Sequence, residues 1–222
     1  GSSSGYKLFK LSVADGVVSE LQTSGGSDNS SSSSNIIGLA SDGTDLFVAR
    51  YSYGSGTSGT QVSRIALQTG TVTSYTTGGV SLSYMSGMEK IGDSLFASSS
   101  NSIYEIELSD TTTSAETWTS QTDDTSNFSQ LSEVRYLNDT FVTVGRSGKI
   151  YTSPDGDGTN WTTQNSGGST VNGVTYGNST FVTTGRNGEI LTSTDGTTWT
   201  SRDPETGVHL SGATYGNGTF VA

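Results

Sequence analysis

Tyr136-Leu-Asn-Asp-Thr-Phe-Val142, Tyr176-Gly-Asn-Ser-Thr-Phe-Val182 and Tyr215-Gly-Asn-Gly-Thr-Phe-Val221 are near copies of one another, spaced 40 and 39 residues apart. A second shared string follows the first two: Val144-Gly-Arg-Ser-Gly-Lys-Ile150 and Thr184-Gly-Arg-Asn-Gly-Glu-Ile190. Each then runs into a polar turn and a tryptophan, Ser153-Pro-Asp-Gly-Asp-Gly-Thr-Asn-Trp161 and Ser193-Thr-Asp-Gly-Thr-Thr-Trp199. The unit reads as four short strands. Strand A ends at the Tyr, and a Gly-Asn type turn supplies the positive φ of a tight hairpin. Strand B is Thr-Phe-Val-Thr, a Gly-x-x-Gly turn leads to strand C, and an Asp-Gly turn leads to strand D. About forty residues in four strands is the size of one propeller blade.

Working backwards, the plan continues more loosely. Ile36–Ala40, Leu46–Ala49, Gln61–Leu67 and Thr71–Tyr75 give one set of A to D. Tyr84–Ile91, Ser94–Ala97, Ser102–Leu108 and Thr117–Thr119 give another. Phe47, Phe96, Phe141, Phe181 and Phe220 are expected to mark strand B of successive units. The ends fix the expected count. Tyr6–Leu11 and Val17–Leu21 read as strands C and D without A and B, and Val208–Tyr215 with Thr219–Ala222 reads as A and B without C and D. The expectation is an all-β, five-bladed β-propeller with a two-plus-two closure between N- and C-terminal strands. It forms a single domain over 1–222, with one blade split as 1–21 plus 208–222 and the others near 35–76, 81–121, 130–164 and 170–202. Closure of this kind removes exposed sheet edges. Ser27–Asn35 is expected to be a surface loop, and 110–129 a polar excursion around strand D.

Composition agrees. The 222 residues include 30 Gly, 40 Ser and 35 Thr, almost half the chain, and these are poor helix formers. No apolar run approaches the roughly 20 residues of a membrane-spanning helix. The chain has no Cys, so a disulfide scaffold and a cysteine-ligated metal are excluded. Ten Lys and Arg face 21 Asp and Glu, for a formal net charge of -11, the wrong balance for nucleic acid. No signal peptide is visible and position 1 is not Met, which reads as a processed, excised or partial chain.

The string Ser-x-Asp-Gly-x-x-Trp resembles the Asp-box, the turn named for bacterial neuraminidase repeats. The longer Tyr-Gly-Asn-Gly-Thr-Phe-Val…Gly-x-x-Gly-x-Ile…Trp pattern resembles the repeats of sialidase-like and photosystem-assembly-factor-type propellers, which also occur in phage structural proteins and secreted bacterial proteins. It covers 130–222 well and the first half weakly. The resemblance implies a non-enzymatic structural or adhesion module on a virus particle, of phage tail or fibre type, or on a cell exterior. The partners it implies are other structural proteins of a larger assembly or a surface glycan, with no membrane insertion. Asp155 and Asp195 are expected to accept turn N–H groups. Trp161 and Trp199 are expected to pack between neighbouring blades.

Catalytic candidates are few. Glu89 and Glu133 fall on inner strands A, with Arg135 nearby and His209 on the last strand A, so paired carboxylates of a glycoside hydrolase are the alternative. The strand register, which decides where they point, is left open. A sialidase-like enzyme would need an arginine cluster, whereas Arg146 and Arg186 occupy matching repeat positions. A Ser-His-Asp triad lacks a strand-turn-helix elbow. Asp155-Gly-Asp-Gly158 is only part of a calcium loop, so neither metal nor cofactor is expected. For binding, Arg146, Arg186, Arg50, Tyr51 and Tyr53 are expected on B–C loops, where flat rings and hydrogen-bonding tips suit carbohydrate or protein.

Overall fold

The computed structural model describes residues 9–11, 18–20, 33–53, 59–69, 71–75, 82, 84–108, 119–121, 130–165, 168–202 and 207–222. The chain divides into two compact units, 1–83 with 107–118 and 84–106 with 119–222. Ser27–Ser32 and Trp118 lie outside the described residues.

In the first unit β1 (Phe9–Leu11) and β2 (Val18–Glu20) form an antiparallel ribbon. β3 (Ser33–Ser41), β4 (Asp45–Tyr53), β5 (Gly59–Ala66) and β6 (Val72–Tyr75) form a four-stranded antiparallel meander. Phe47, Val48, Ala49, Val62 and Ile65 are buried there. Asp45, 4% exposed, receives Arg64 Nε at 2.8 Å. Two loop expectations are corrected here. Ser33–Asn35 belong to β3, and Arg50, Tyr51 and Tyr53 belong to β4. The ladder runs on past the expected turn, pairing Ser33 with Tyr53 and Ser52 with Gly59. β4 lies between two antiparallel neighbours that satisfy its backbone, which a loop would leave to water.

The second unit repeats the meander three times. β7 (Met85–Ile91), β8 (Ser94–Ser99), β9 (Ser102–Glu107) and β10 (Thr119–Ser120) form one sheet. β11 (Leu131–Leu137), β12 (Thr140–Gly145), β13 (Lys149–Ser153) and β14 (Thr162–Asn165) form the next. β15 (Val171–Gly177), β16 (Thr180–Gly185), β17 (Ile190–Ser193) and β18 (Thr200–Ser201) form the third. β19 (Thr214–Gly216) and β20 (Thr219–Val221) end the chain as a ribbon. Residues 208–213, expected to be strand, precede β19 instead.

The A–B hairpins turn through Asn138-Asp139, Asn178-Ser179 and Asn217-Gly218, with both central residues of each at positive φ. That is the type I′ turn, whose twist matches the flanking strands. Successive sheets then stack face to face. Phe96 and Ile103 of the β7–β10 sheet pack with Leu131, Val134, Phe141 and Tyr151 of the next. Val142, Val144 and Ile150 pack in turn with Val171, Val174, Phe181 and Leu191.

Phe47, Phe96, Phe141, Phe181 and Phe220 all fall on the second strand of a hairpin, as expected, but not at one register. Hairpin register pairs Tyr136 with Phe141 and Tyr176 with Phe181, but it pairs Lys90 with Leu95 and Ser41 with Leu46. Leu46 and Leu95 are therefore the counterparts of Phe141 and Phe181. Phe47 and Phe96 stand one residue on, where Val142 and Val182 stand later. One step along a strand reverses the face. Phe96 thus meets Phe141 across the sheet gap, ring centroids 4.5 Å apart, instead of being its equivalent.

Candidate functional site

The inner strands β7, β11 and β15 share an irregularity at their second residue, where Ser86, Ser132 and Asn172 are bulged. A bulge re-aims its side chain. Ser86 Oγ donates to Leu131 O at 2.6 Å on the following sheet, and Asn172 Nδ2 donates to Leu210 O at 2.8 Å in the segment before β19. The next residue on each inner strand is Gly87, Glu133 and Gly173. At the two glycines the neighbouring backbone is in contact. A Cβ on Gly87 would lie 2.8 Å from Val134 N, and one on Gly173 would lie 2.7 Å from Gly212 Cα.

Glu133 departs from this pattern. Its side chain reaches the following inner strand, where Oε2 accepts the Val174 N–H at 2.8 Å. Glu89 has no such bond at hydrogen-bonding distance among the described residues, although the Tyr136 backbone N–H favours its charged form. Arg135 lies with both acids, Nε 3.5 Å from Glu89 Oε2 and Nη1 3.6 Å from Glu133 Oε1. The two carboxylates expected to form a pair are thus brought together, bridged by a guanidinium. Burial raises the pKa of both above the ordinary value. Arg135 and a backbone N–H oppose that shift without cancelling it. His209 is elsewhere engaged: it is exposed, and its Nδ1 accepts the Asn187 N–H at 3.2 Å.

Arg146 and Arg186 open the 3-10 turns that join β12 to β13 and β16 to β17. Ser147 and Asn187 take positive φ there, and the Arg146 and Arg186 N–H groups bond Gln130 O and Thr170 O. Both arginines line one cavity of about 390 Å³. Its walls repeat: Ser100, Arg146 and Arg186 are equivalent turn residues, and Tyr84, Gln130 and Thr170 are the residues that precede β7, β11 and β15. Ser132, Asn172 and Leu131 complete it. Neither Glu89 nor Glu133 lines this cavity. Tyr84, 76% exposed, was missed by sequence reasoning, although its place one residue before an inner strand was the available signal. Of the other binding candidates, Arg50 is buried and donates from Nη2 to Gln61 Oε1 at 2.5 Å, and Tyr51 is half-buried.

The tryptophan turns are held as their chemistry requires. Asp195 Oδ1 accepts the Thr197 and Thr198 N–H groups, both at 2.8 Å, and the Ser193 hydroxyl at 2.9 Å. These bonds hold its carboxyl well below the usual range, the Thr198 N–H most of all. Trp199 Nε1 donates to Gly196 O at 3.0 Å, and its ring packs on the core that contains Phe181. In the longer turn the role is divided, which corrects the expectation for Asp155. Asp155 accepts the Ser153 hydroxyl and the Asn160 amide, while Asp157 accepts the Thr159 N–H at 2.9 Å. Counted back from Trp161, Asp157-Gly158 matches Asp195-Gly196, and Trp161 Nε1 donates to Gly158 O at 2.6 Å.

No protein-family model matches the chain, and no curated protein does. Solved structures do. A chain of the mitotic checkpoint complex is similar at a TM-score of 0.65 and 14% identity, covering 93% of this chain and 60% of that one. The U3-55K structure is similar at 0.57 and 14%, covering 84% and 54%, and the RRP9 WD40 repeats at 0.55 and 13%, covering 93% and 55%. At such identities the likeness shows the fold alone: all-β, with four-stranded antiparallel sheets of the β-propeller type. The chain spans little more than half the length of these propellers.

Proposed function

We propose that the chain is a non-enzymatic binding module of a larger structural or adhesive assembly, displayed outside a cell or on a virus particle such as a phage tail or fibre. It engages glycan or protein through the end of its sheets that carries Arg146 and Arg186. One observation carries this reading. The two acids best placed for catalysis are committed to the framework, both facing Arg135, with Glu133 also accepting the Val174 N–H of the next inner strand. The cavity lined by Arg146 and Arg186 presents cations, amides and hydroxyls instead. The Ser193–Trp199 turn, with its Asp-box resemblance, supports kinship with the propeller repeats of secreted and phage proteins. A glycan array run beside a glycosidase panel tests the reading, which expects retention without turnover.

A glycoside hydrolase using Glu89 and Glu133 is the second reading. Burial favours it, because a raised carboxyl is what a general acid needs. Hydrolysis that survives alanine at both positions would remove it. We also propose that the β1–β2 and β19–β20 ribbons together complete a fifth four-stranded sheet, the former supplying strands C and D and the latter A and B. Each ribbon is two-stranded, where the other sheets have four strands.

A further inference from the structure

We propose that the cavity between Arg146 and Arg186 is a site for acidic saccharides, in which the guanidinium groups take a uronate carboxylate and Tyr84 takes the apolar face of a sugar ring. The inference rests on the binding-module reading and narrows it to one ligand class.

Charge comes first. The whole chain carries -11, yet none of the nine residues lining this cavity is Asp or Glu, and two are arginines. Neither arginine forms an ion pair among the described residues. Each is placed by a turn whose backbone is pinned, with Arg146 N donating to Gln130 O at 3.2 Å and Arg186 N donating to Thr170 O at 2.9 Å. A guanidinium held at a fixed root with free N–H donors is suited to the planar, two-oxygen geometry of a carboxylate. In an acidic protein such a spot concentrates anions that the remaining surface repels.

Shape and polarity select the sugar. About 390 Å³ suits a compact ligand and falls in the ordinary range for small-molecule sites. Gln130, Asn172, Ser132 and Thr170 offer amides and hydroxyls, the partners that saccharide hydroxyls require. Tyr84 stands at the same wall, 76% exposed. A ring so exposed gains by covering its face, and the C–H side of a pyranose does that while its hydroxyls stay bonded. The three sheets contribute equivalent positions, but only two of them supply an arginine, since the third has Ser100. The cavity is therefore polarised, with cations on the β11 and β15 side and the aromatic ring on the β7 side.

The test is calorimetric titration of the whole chain with galacturonate, glucuronate and mannuronate oligomers and with the same oligomers after carboxyl reduction. The wild type should bind at least one acidic series, and the reduced counterpart should bind at least about 10-fold more weakly. Arg146→Gln combined with Arg186→Gln should erase that difference while leaving the thermal midpoint unchanged, and added salt should weaken the acidic series alone. Tyr84→Ala should weaken both series. Equal affinity for acidic and reduced oligomers, acid binding unaltered in the double variant, or no binding by any acidic series would overturn the proposal. Should neutral glycans still be retained on the array, the binding-module reading stands without it. If the chain retains neither glycan nor protein, that reading fails as well.

Discussion

Glu133 and Val174 are joined across two sheets: the carboxylate Oε2 of one inner strand accepts the N–H of the next at 2.8 Å. Neighbouring repeats have Gly87 and Gly173 at this place, where the following stretch of backbone lies against the glycine itself. A long acid thus does by hydrogen bonding what a glycine does by close approach. Removing it should leave the Val174 N–H without its partner. Glu133→Ala should cost about 1–3 kcal/mol in urea unfolding, the usual penalty for an orphaned buried donor. Glu133→Gln keeps an acceptor oxygen and should cost much less. Equal loss in the two variants would mean that the bond to Val174 is not what the side chain contributes.

Gly87→Ala and Gly173→Ala should each destabilise by about 1–3 kcal/mol, the range for forcing extra volume into packed backbone. The atoms met are main-chain ones, at 2.8 Å and 2.7 Å, and cannot rotate away. Gly216→Ala is the control. Nothing lies within 4 Å of its added carbon, so thermal unfolding should move by no more than about 0.5 kcal/mol.

Opposite pH responses follow from the two kinds of acid. Burial raises Glu89 and Glu133, so their favourable contribution is complete below the ordinary value of 4.5 and declines as pH rises through their folded values. Glu89→Gln with Glu133→Gln should therefore gain on the wild type as pH rises above 4.5. Asp195 is lowered, chiefly by the Thr198 N–H, so its contribution is present above 3.8 and disappears as pH falls toward its folded value. Asp195→Asn should flatten that acid limb. Denaturation midpoints across pH read both, and parallel curves for wild type and variants would contradict the assignment.

Much of this architecture was legible in the repeat. The four-strand unit, the Asn-led hairpins and the tryptophan turns follow from side-chain spacing and the need for positive φ. What was not legible depended on register. The bulge at Ser132 interrupts alternation, so the direction of Glu133 does not follow from counting along the strand. Leu95-Phe96 and Phe141-Val142 hold one aromatic ring each, but on opposite faces, and matching Phe to Phe misaligns the sheets by one residue. The two-residue insertion before Trp161 allowed either Asp155 or Asp157 to be the turn acid, and the fold uses both. Tyr51-Ser-Tyr-Gly54 has loop composition, yet pairing with β3 and β5 extends β4 to Tyr53. Tertiary context decided each of these.

The proposed fifth sheet requires β1 beside β20. The chain has no Cys, so cysteine pairs can be placed one at a time between residues 9–11 and 219–221. Strands lie about 4.7–4.9 Å apart in a ladder, within reach of a disulfide. At least one pair should oxidise quantitatively in the folded protein and raise its thermal midpoint. Failure of every pair would leave the two ribbons as separate ends.

The most direct test of binding without catalysis is a reducing-end assay on every glycan that the array retains. The account predicts stable retention with no new reducing ends over prolonged incubation, and the same retention by Glu89→Gln with Glu133→Gln. Bond cleavage by the wild type that disappears in that double variant would contradict it.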